Sequence, residues 1–187
     1  MAKLISKTYG EALFQIILEK EENQAGMGEE LYREATALMD ILKENPEFDA
    51  FMKHPGIAKT DKLSVVEKVY QSRISPELYE FLRIVVTKDR YKDLPAIMEY
   101  VSEEMKQYKK IGVAYVSTAM ELSDAQKAQV LKRLLETAPY EQMEMHYSVD
   151  PELIGGMVIR IGDRVVDTSV KSRLNDLTNQ LLQIQLG

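Results

Sequence analysis

The sequence of 187 residues contains no cysteine and only two histidines. Without cysteine the chain can form neither disulfides nor thiolate zinc sites, and it has no cysteine nucleophile. The histidines, His54 and His146, lie far apart, and neither has a second histidine at helical or turn spacing. A metal site would have to be built from carboxylates alone, and these are mixed with lysines as on a solvated surface. We predict no metal and no cofactor.

Long apolar runs are also missing. No segment approaches the roughly 20 consecutive apolar residues that a membrane-spanning helix needs. The first five residues, Met-Ala-Lys-Leu-Ile, lack the charged and apolar blocks of a signal peptide, and Glu11 argues against a transit peptide. We expect no part of this sequence to enter a membrane.

The net charge of −6 is unevenly distributed along the chain. Residues 1–105 contain 14 basic residues (Lys and Arg) and 20 acidic residues (Asp and Glu), whereas residues 106–187 contain 10 basic and 10 acidic residues. An acidic first half repels phosphate backbones, which argues against nucleic-acid binding. The same charge would favour a basic helix as a partner, or it serves only to keep the protein soluble.

The first part of the chain has helical periodicity throughout, with apolar residues three and four positions apart. Ser75-Pro76 is typical of a helix start, with the serine as N-cap and the proline at the first helical position. The pattern predicts an N-terminal six-helix bundle over residues 1–105, in a protein that is mostly α. The predicted helices are 3–22, 29–44, 47–53, 60–71, 76–88 and 91–108.

The periodicity changes after Lys110, where alternating apolar patterns predict strands. Gly162-Asp163 separates two short apolar runs, which predicts a tight hairpin with glycine first. Three or four strands are predicted, within residues 112–117, 143–149, 157–161 and 164–167.

Two helices accompany these strands. Ser123 and Gln126 form a capping box that opens a helix through Leu135, because each side chain can bond to the other residue's backbone N–H. Ser169 is predicted to cap a final helix. Residues 106–187 are therefore predicted to be a small C-terminal α/β unit.

The glycine pair Gly155-Gly156 lacks the sequence context of a phosphate-binding loop. They precede a predicted strand rather than a helix, so they offer no helix N-terminus to an anion, and the P-loop and dinucleotide spacings are absent. The two glycines are better explained as structural residues, which let the chain pass from a turn that begins at Asp150-Pro151 into the next strand. A small nucleotide-binding protein that uses the loop Ile154-Gly155-Gly156 is the alternative. The sequence shows no nucleophile with a base near it, so no catalytic motif predicts an enzyme.

The first and fifth predicted helices carry more apolar surface than one buried stripe requires. Either both helices are buried on all sides, or a groove between them receives a partner helix. The main stripe of the first helix consists of Ile5, Tyr9, Ala12, Leu13 and Ile16, with Ile17 at its edge. A second stripe opposite consists of Leu4, Phe14 and Leu18. The apolar residues of the fifth helix are Leu78, Tyr79, Phe81, Leu82, Ile84, Val85 and Val86.

The last predicted helix carries a heptad seam, in which apolar residues recur at alternating steps of four and three. Such a seam either covers the small sheet or meets helices of another chain. Its members are Val170, Leu174, Leu177, Leu181 and Ile184.

Motifs along the whole chain resemble, in order, the delta subunit family of the F-type ATP synthases, whose mitochondrial counterpart confers oligomycin sensitivity. Residues 9–14, Tyr-Gly-Glu-Ala-Leu-Phe, resemble the family's opening Tyr-Ala-x-Ala-Leu-Phe, with Gly10 where alanine is usual. Residues 149–156 resemble the start of its C-terminal signature. The other matching segments are His54-Pro55 with Ile57, Arg90-Tyr91, Leu94-Pro95, residues 116–119, Leu122-Ser123, residues 161–163, residues 166–170 and Arg173-Leu174.

The resemblance implies a non-catalytic stator that holds the catalytic head of a proton-translocating enzyme still against the rotor. It implies one copy per complex, peripheral on the cytoplasmic face of a bacterial membrane, with no nucleic acid bound. A helical adaptor in an unrelated complex is a further alternative.

The resemblance also implies two sets of partners. The helical domain would bind N-terminal helices of the alpha subunits, in grooves that include one between its first and fifth helices. The C-terminal domain would bind the b-type stalk subunits. The expected alpha-subunit contacts are Ile5, Tyr9, Ala12, Ile16, Phe81, Ile84 and Val85. The expected b-subunit contacts are Leu174, Leu177, Leu181 and Ile184.

Overall fold

The computed structural model describes the backbone of residues 2–185 and the side chains of residues 4–180. The chain divides into two compact units, Met1–Met105 and Lys106–Gly187. Helices make up the first unit, and the second contains a four-stranded sheet. The protein is therefore mostly helical with a small C-terminal sheet.

Six helices precede the sheet, and a 3₁₀ turn, Tyr91–Asp93, leads into the sixth. The predicted boundaries of the first five agree with the structure to within two residues. The helices are α1 (Ala2–Asn23), α2 (Met27–Glu44), α3 (Pro46–Lys53), α4 (Lys59–Tyr70), α5 (Pro76–Thr87) and α6 (Leu94–Tyr108).

The buried face of α1 differs from the apolar stripe expected from the sequence. Leu13 and Ile17 are fully buried, and the positions that continue their row toward the N-terminus are Ser6 and Gly10. The buried row is thus shifted by one position from the expected one. Apolar periodicity does not reveal this row, because half of it carries no apolar side chain.

Close helix packing explains two of the glycines. A Cβ atom on Gly10 would collide with the ring of Tyr100 on α6. A Cβ atom on Gly28 would collide with the backbone carbonyl oxygen of Ile17. Gly10, which departs from the usual alanine, is therefore the place where Tyr100 lies against α1.

We predict that Gly28→Ala lowers the free energy of unfolding by about 1–3 kcal/mol, because the obstacle is backbone and the two helices must separate. Gly10→Ala should cost less, since the Tyr100 ring can turn away and alanine favours the helix by about 1 kcal/mol. Urea unfolding of both variants tests this. A Gly28→Ala protein as stable as the wild type would show that α1 and α2 adjust freely.

Carboxylates from neighbouring helices cap two helix starts in the first unit. The Glu21 carboxylate accepts hydrogen bonds from the backbone N–H of Gly26 and Gly28, at 2.9 and 3.0 Å. At α5, Ser75 is the N-cap residue, but its hydroxyl makes no capping bond. Glu34 on α2 instead accepts from the Ser75 N–H at 2.8 Å. Ser75 and Pro76 thus begin α5 as predicted, while the acceptor at this helix start comes from a neighbouring helix.

The second unit forms a mixed sheet in the order β2-β1-β3-β4. β1 is parallel to β2 and antiparallel to β3, and β4 is antiparallel to β3. A 3₁₀ turn, Pro151–Leu153, lies between β2 and β3. The other elements are β1 (Ile111–Thr118), α7 (Asp124–Thr137), β2 (Gln142–Val149), β3 (Met157–Ile161), β4 (Arg164–Asp167) and α8 (Val170–Gln185).

The helix caps of this unit are as predicted. The Ser123 hydroxyl accepts from the Gln126 N–H, and the Gln126 side chain accepts from the Ser123 N–H at 2.9 Å. At α8, the Ser169 hydroxyl accepts from the Ser172 N–H at 3.2 Å. Both caps are local, so the sequence was sufficient to find them.

The side chains on the two faces of the sheet differ in how deeply they are buried. On β1, Ala114 and Val116 are fully buried and point to one face, while Tyr115 between them is exposed on the other. α7 lies on the buried side, because the hydroxyl of Tyr147, which pairs with Val116, contacts the Lys127 carbonyl. We call the face that carries Tyr115 the open face.

Candidate functional site

The start of α8 is held firmly in place. Asp167 accepts hydrogen bonds from the Ser169 N–H at 2.8 Å and from the Ser172 hydroxyl at 2.6 Å. These bonds, the one from Ser172 first, hold the pKa of Asp167 below its usual value. Lys171 pairs with Glu152 at 2.9 Å, which raises the pKa of the lysine and lowers that of the glutamate.

The glycine loop before β3 belongs to the same anchor. The Gly155 carbonyl accepts from the Val170 N–H at 2.9 Å. Gly156 has φ +78°, and a Cβ there would collide with the Thr168 carbonyl oxygen. Ile154 also has positive φ, at 66°. The backbone of this loop is thus bent around the start of α8.

The hairpin between β3 and β4 turns through Gly162 and Asp163. Gly162 has φ +56°, a conformation that favours glycine at the first turn position. The effect of this turn is to place β4 beside β3.

Beyond its anchored first turn, α8 presents its apolar seam to solvent. Leu174 and Leu177 are 50% and 55% exposed, and Val170 is also exposed. Within the described residues, α8 packs chiefly against the 3₁₀ turn Pro151–Leu153 rather than against the strands. Leu181 and Ile184 lie outside the residues whose side chains the structure describes. In its described part the seam is therefore exposed and does not cover the sheet.

The predicted α1/α5 contacts divide into surface and core residues. Phe81 is 5% exposed and Val85 is fully buried, so both belong to the hydrophobic core. On α5, Ile84 is 48% exposed and is the predicted contact that faces outward. On α1, Ala12 is exposed, whereas Ile5, Tyr9 and Ile16 are half-buried. We call these five residues, Ile5, Tyr9, Ala12, Ile16 and Ile84, the α1/α5 surface.

An ion pair joins the ends of these two helices. Lys20 near the end of α1 lies 2.9 Å from Glu77 in the first turn of α5. The hydrogen bond from Lys20 lowers the pKa of Glu77. Ala12 is eight residues before Lys20 and Ile84 seven after Glu77, so at 1.5 Å per residue each lies about 10–12 Å along its helix from the ion pair.

Sequence reasoning missed a cleft beside this ion pair. A cavity of about 600 Å³ opens between the end of α1, α2 and the start of α5. No periodicity could have indicated it, because it is formed by residues distant in the sequence. Its lining residues are Lys20, Met27, Glu30, Leu31, Arg33, Glu34, Ala37, Ser75 and Pro76.

The open face of the sheet carries a row of charged and aromatic side chains. The His146 ring stacks on Tyr115 with centroids 5.0 Å apart, and the Arg160 guanidinium lies 4.9 Å from the same ring. Glu144 binds both His146, at 2.8 Å, and Lys106, at 2.6 Å. The Lys106 hydrogen bond is the main reason that the pKa of Glu144 is lowered.

We predict that Lys106→Met raises the pKa of Glu144 toward its ordinary value. A lowered carboxyl pKa contributes stability at higher pH that is lost as pH falls below the ordinary value, so the variant should lose less stability on acidification. A carboxyl-carbon NMR titration measures the shift. Lys127→Met, which removes a partner of Asp124, is the control. An unchanged Glu144 titration would contradict the assignment.

Acidic and histidine side chains are scattered over the part of the chain that the structure describes. Among these residues, no three potential metal-ligating side chains come together. No helix in residues 2–185 combines the length and the apolar character that crossing a bilayer requires.

A family model for the ATP synthase delta (OSCP) subunit matches residues 5–181. The chain belongs to this delta family. It is 44% identical to the ATP synthase subunit delta of Lachnoclostridium phytofermentans over 187 residues, which cover 100% of both chains. It is 31% identical to the ATP synthase subunit delta of Alkaliphilus metalliredigens, over 98% of this chain and 99% of that one.

A chain of known structure has a fold similar to that of this protein. A chain in the cryo-EM structure of the Toxoplasma gondii mitochondrial ATP synthase hexamer superposes with a TM-score of 0.63. The alignment covers 95% of this chain and 97% of that chain, at 22% identity. At this identity the likeness concerns the fold alone.

As a delta-family member, the protein is a peripheral-stalk subunit of an F-type ATP synthase and has a structural rather than a catalytic role. It works within a hetero-oligomer, as a peripheral component of a membrane-bound enzyme. The prediction of a non-catalytic stator subunit is thereby confirmed. The particular contact residues stay predictions.

Proposed function

We propose that this delta-family chain joins the catalytic head to the membrane-anchored stalk and resists the torque of a proton-driven rotor. In this proposal α1–α6 act as one six-helix bundle that binds N-terminal helices of the alpha subunits. The unit Lys106–Gly187 binds the b-type stalk subunits. One copy per enzyme lies on the cytoplasmic face of a bacterial membrane.

The open seam of α8 carries the proposal. Leu174 and Leu177 are about half exposed on a helix whose start is anchored by hydrogen bonds and an ion pair. Burying a large apolar side chain stabilises a complex by about 1.5–3 kcal/mol. Heptad spacing suits contact with another helix, and a stalk made of long helices would supply one.

The α1/α5 surface supports the other half of the proposal. Exposed Ile84 and Ala12 lie at similar distances from the Lys20–Glu77 ion pair, so a helix laid along α1 and α5 could touch both. The acidic charge of residues 1–105 suits a basic partner helix. Phe81 and Val85 would support this surface from the core rather than touch the partner.

The loop Ile154-Gly155-Gly156 gives no support for the nucleotide-binding alternative. Its backbone is bent around the start of α8, where the Gly155 carbonyl accepts from Val170. The loop leads into β3, so it does not begin a helix that would attract phosphate.

Affinity capture of a tagged chain from solubilised membranes tests the proposal. Alpha-type and b-type subunits, identified by mass spectrometry, should be recovered with the wild-type protein. A variant with a charge in the α8 seam should retain the alpha subunits and lose the b-type subunits. Recovery of neither partner with the wild type would contradict the connecting role.

A further inference from the structure

Arg160 is a cation that rests against an aromatic ring on the open face of the sheet. It lies on β3 directly opposite Tyr115 of β1, and its guanidinium rests 4.9 Å from the ring centroid. The other flank of Tyr115 is occupied by the His146 ring, which is nearly parallel to it at 19°. The Tyr115 ring is thus contacted from both sides, and the cation–π attraction favours this position of the guanidinium.

Within the described side chains, Arg160 has no ion-pair partner. The carboxylates of the same face are already engaged: Glu144 with Lys106 and His146, and Asp167 with Ser169 and Ser172. After this internal pairing, Arg160 is the cation left without a carboxylate on the described part of the open face. Its fork of N–H donors matches the two oxygens of a carboxylate.

Apolar side chains flank Arg160 on its own strand and on the next one. Val165 on β4 pairs directly with Arg160 and is 59% exposed. Val158, two residues before Arg160 on β3, points to the same face and is half-buried. A partner that fits here therefore has apolar side chains flanking an acidic one, which is the pattern of an amphipathic helix.

We propose that the open face of the sheet is a second stalk contact, on which Arg160 receives a glutamate or aspartate of a b-type helix. The inference rests on the proposed function, in which the C-terminal unit binds that stalk. It adds to the α8 seam a charged contact that fixes the register of the helix. Apolar seams supply affinity, whereas a single fixed charge pair selects among alternative registers.

The test measures binding of the full-length chain to the soluble cytoplasmic segment of the b-type subunit from the same enzyme, by titration calorimetry. Arg160→Glu should weaken binding at least about tenfold, because the new carboxylate would face the carboxylate of the b-type helix and repel it. Arg160→Gln removes only the attraction and should weaken binding less. The loss caused by Arg160→Gln should shrink as salt is raised, since salt screens the wild-type pair. Arg133→Glu on α7, on the other side of the sheet, makes the same charge change and should stay within about twofold of wild type.

A complementary substitution strengthens the test. Replacing the acidic residues of the b-type segment one at a time by lysine should yield one variant that restores binding to Arg160→Glu. Wild-type affinity in both Arg160 variants would overturn the inference, as would a salt-independent loss.

The seam variant Leu174→Glu separates this inference from the proposed function. If Leu174→Glu abolishes binding while both Arg160 variants bind normally, the open face is not a contact and the stalk role stands. If Leu174→Glu and both Arg160 variants all bind normally, the stalk role of this unit is contradicted as well.

Discussion

Deleting residues from Leu177 onward is expected to release the catalytic head from the stalk. ATP synthesis coupled to proton flow should be lost, because the head would turn with the rotor. ATP hydrolysis by the released head should persist, since this subunit transmits force and performs no chemistry. Both activities are measured on membranes from cells that carry the truncated chain, and the released head is measured in the soluble fraction.

The structure explains why the truncated chain should still fold. The bonds that hold the first turn of α8 involve Asp167, Ser169 and Ser172, all of which are retained. The described part of the seam contributes little to the core, as Leu174 and Leu177 are half exposed. The expected loss is therefore of a contact between chains rather than of the C-terminal unit.

A point variant makes the same test without shortening the chain. Leu174→Glu places a charge in the seam, and an unpaired charge buried at an interface costs several kcal/mol. Asn179→Glu adds the same charge on the opposite side of α8 and should leave synthesis intact. Coupled synthesis in both the truncation and the Leu174→Glu variant would exclude the seam as a stalk contact. Loss of hydrolysis by the isolated head would contradict the non-catalytic role.

Ala12→Asp is expected to weaken binding of an N-terminal peptide of the alpha subunit at least about tenfold, because a desolvated, unpaired carboxylate costs several kcal/mol. Ala12 is exposed, so the fold should survive the change. Fluorescence anisotropy with a labelled peptide measures the affinity, and circular dichroism checks the helices.

The matched control for this experiment is Ala96→Asp, at an exposed alanine of α6. It adds the same charge to the same acidic unit, so it reproduces any long-range effect on a basic peptide. Ala96→Asp should bind within about twofold of wild type. Equal affinity for all three proteins would place the alpha-subunit contact away from the α1/α5 surface.

The sequence by itself determined the local structure and the family. Helix ends, strand ranges and the Ser123 and Ser169 caps depend on residues within a few positions of one another, and these predictions agree with the structure. The ordered motifs along the chain indicated the delta family, which the family match confirms.

Tertiary structure decided which faces are available to partners. Apolar spacing could not distinguish buried Phe81 and Val85 from exposed Ile84, because all three are apolar and lie on one helix. Apolar spacing also missed the buried positions Ser6 and Gly10 on α1. At Gly10 the apolar contact comes from the ring of Tyr100 on α6. Burial depends on what packs against a residue, and that neighbour is usually distant in sequence.

The sheet shows the same division. The alternating patterns predicted strands, but the order β2-β1-β3-β4 and the parallel pairing of β1 with β2 follow from how the segments assemble. That pairing brings His146 and Arg160 to either side of Tyr115, three residues that no sequence motif connects. The row exists only because three strands align in one register, since hydrogen bonding between strands, rather than proximity in the chain, sets which side chains stand next to one another.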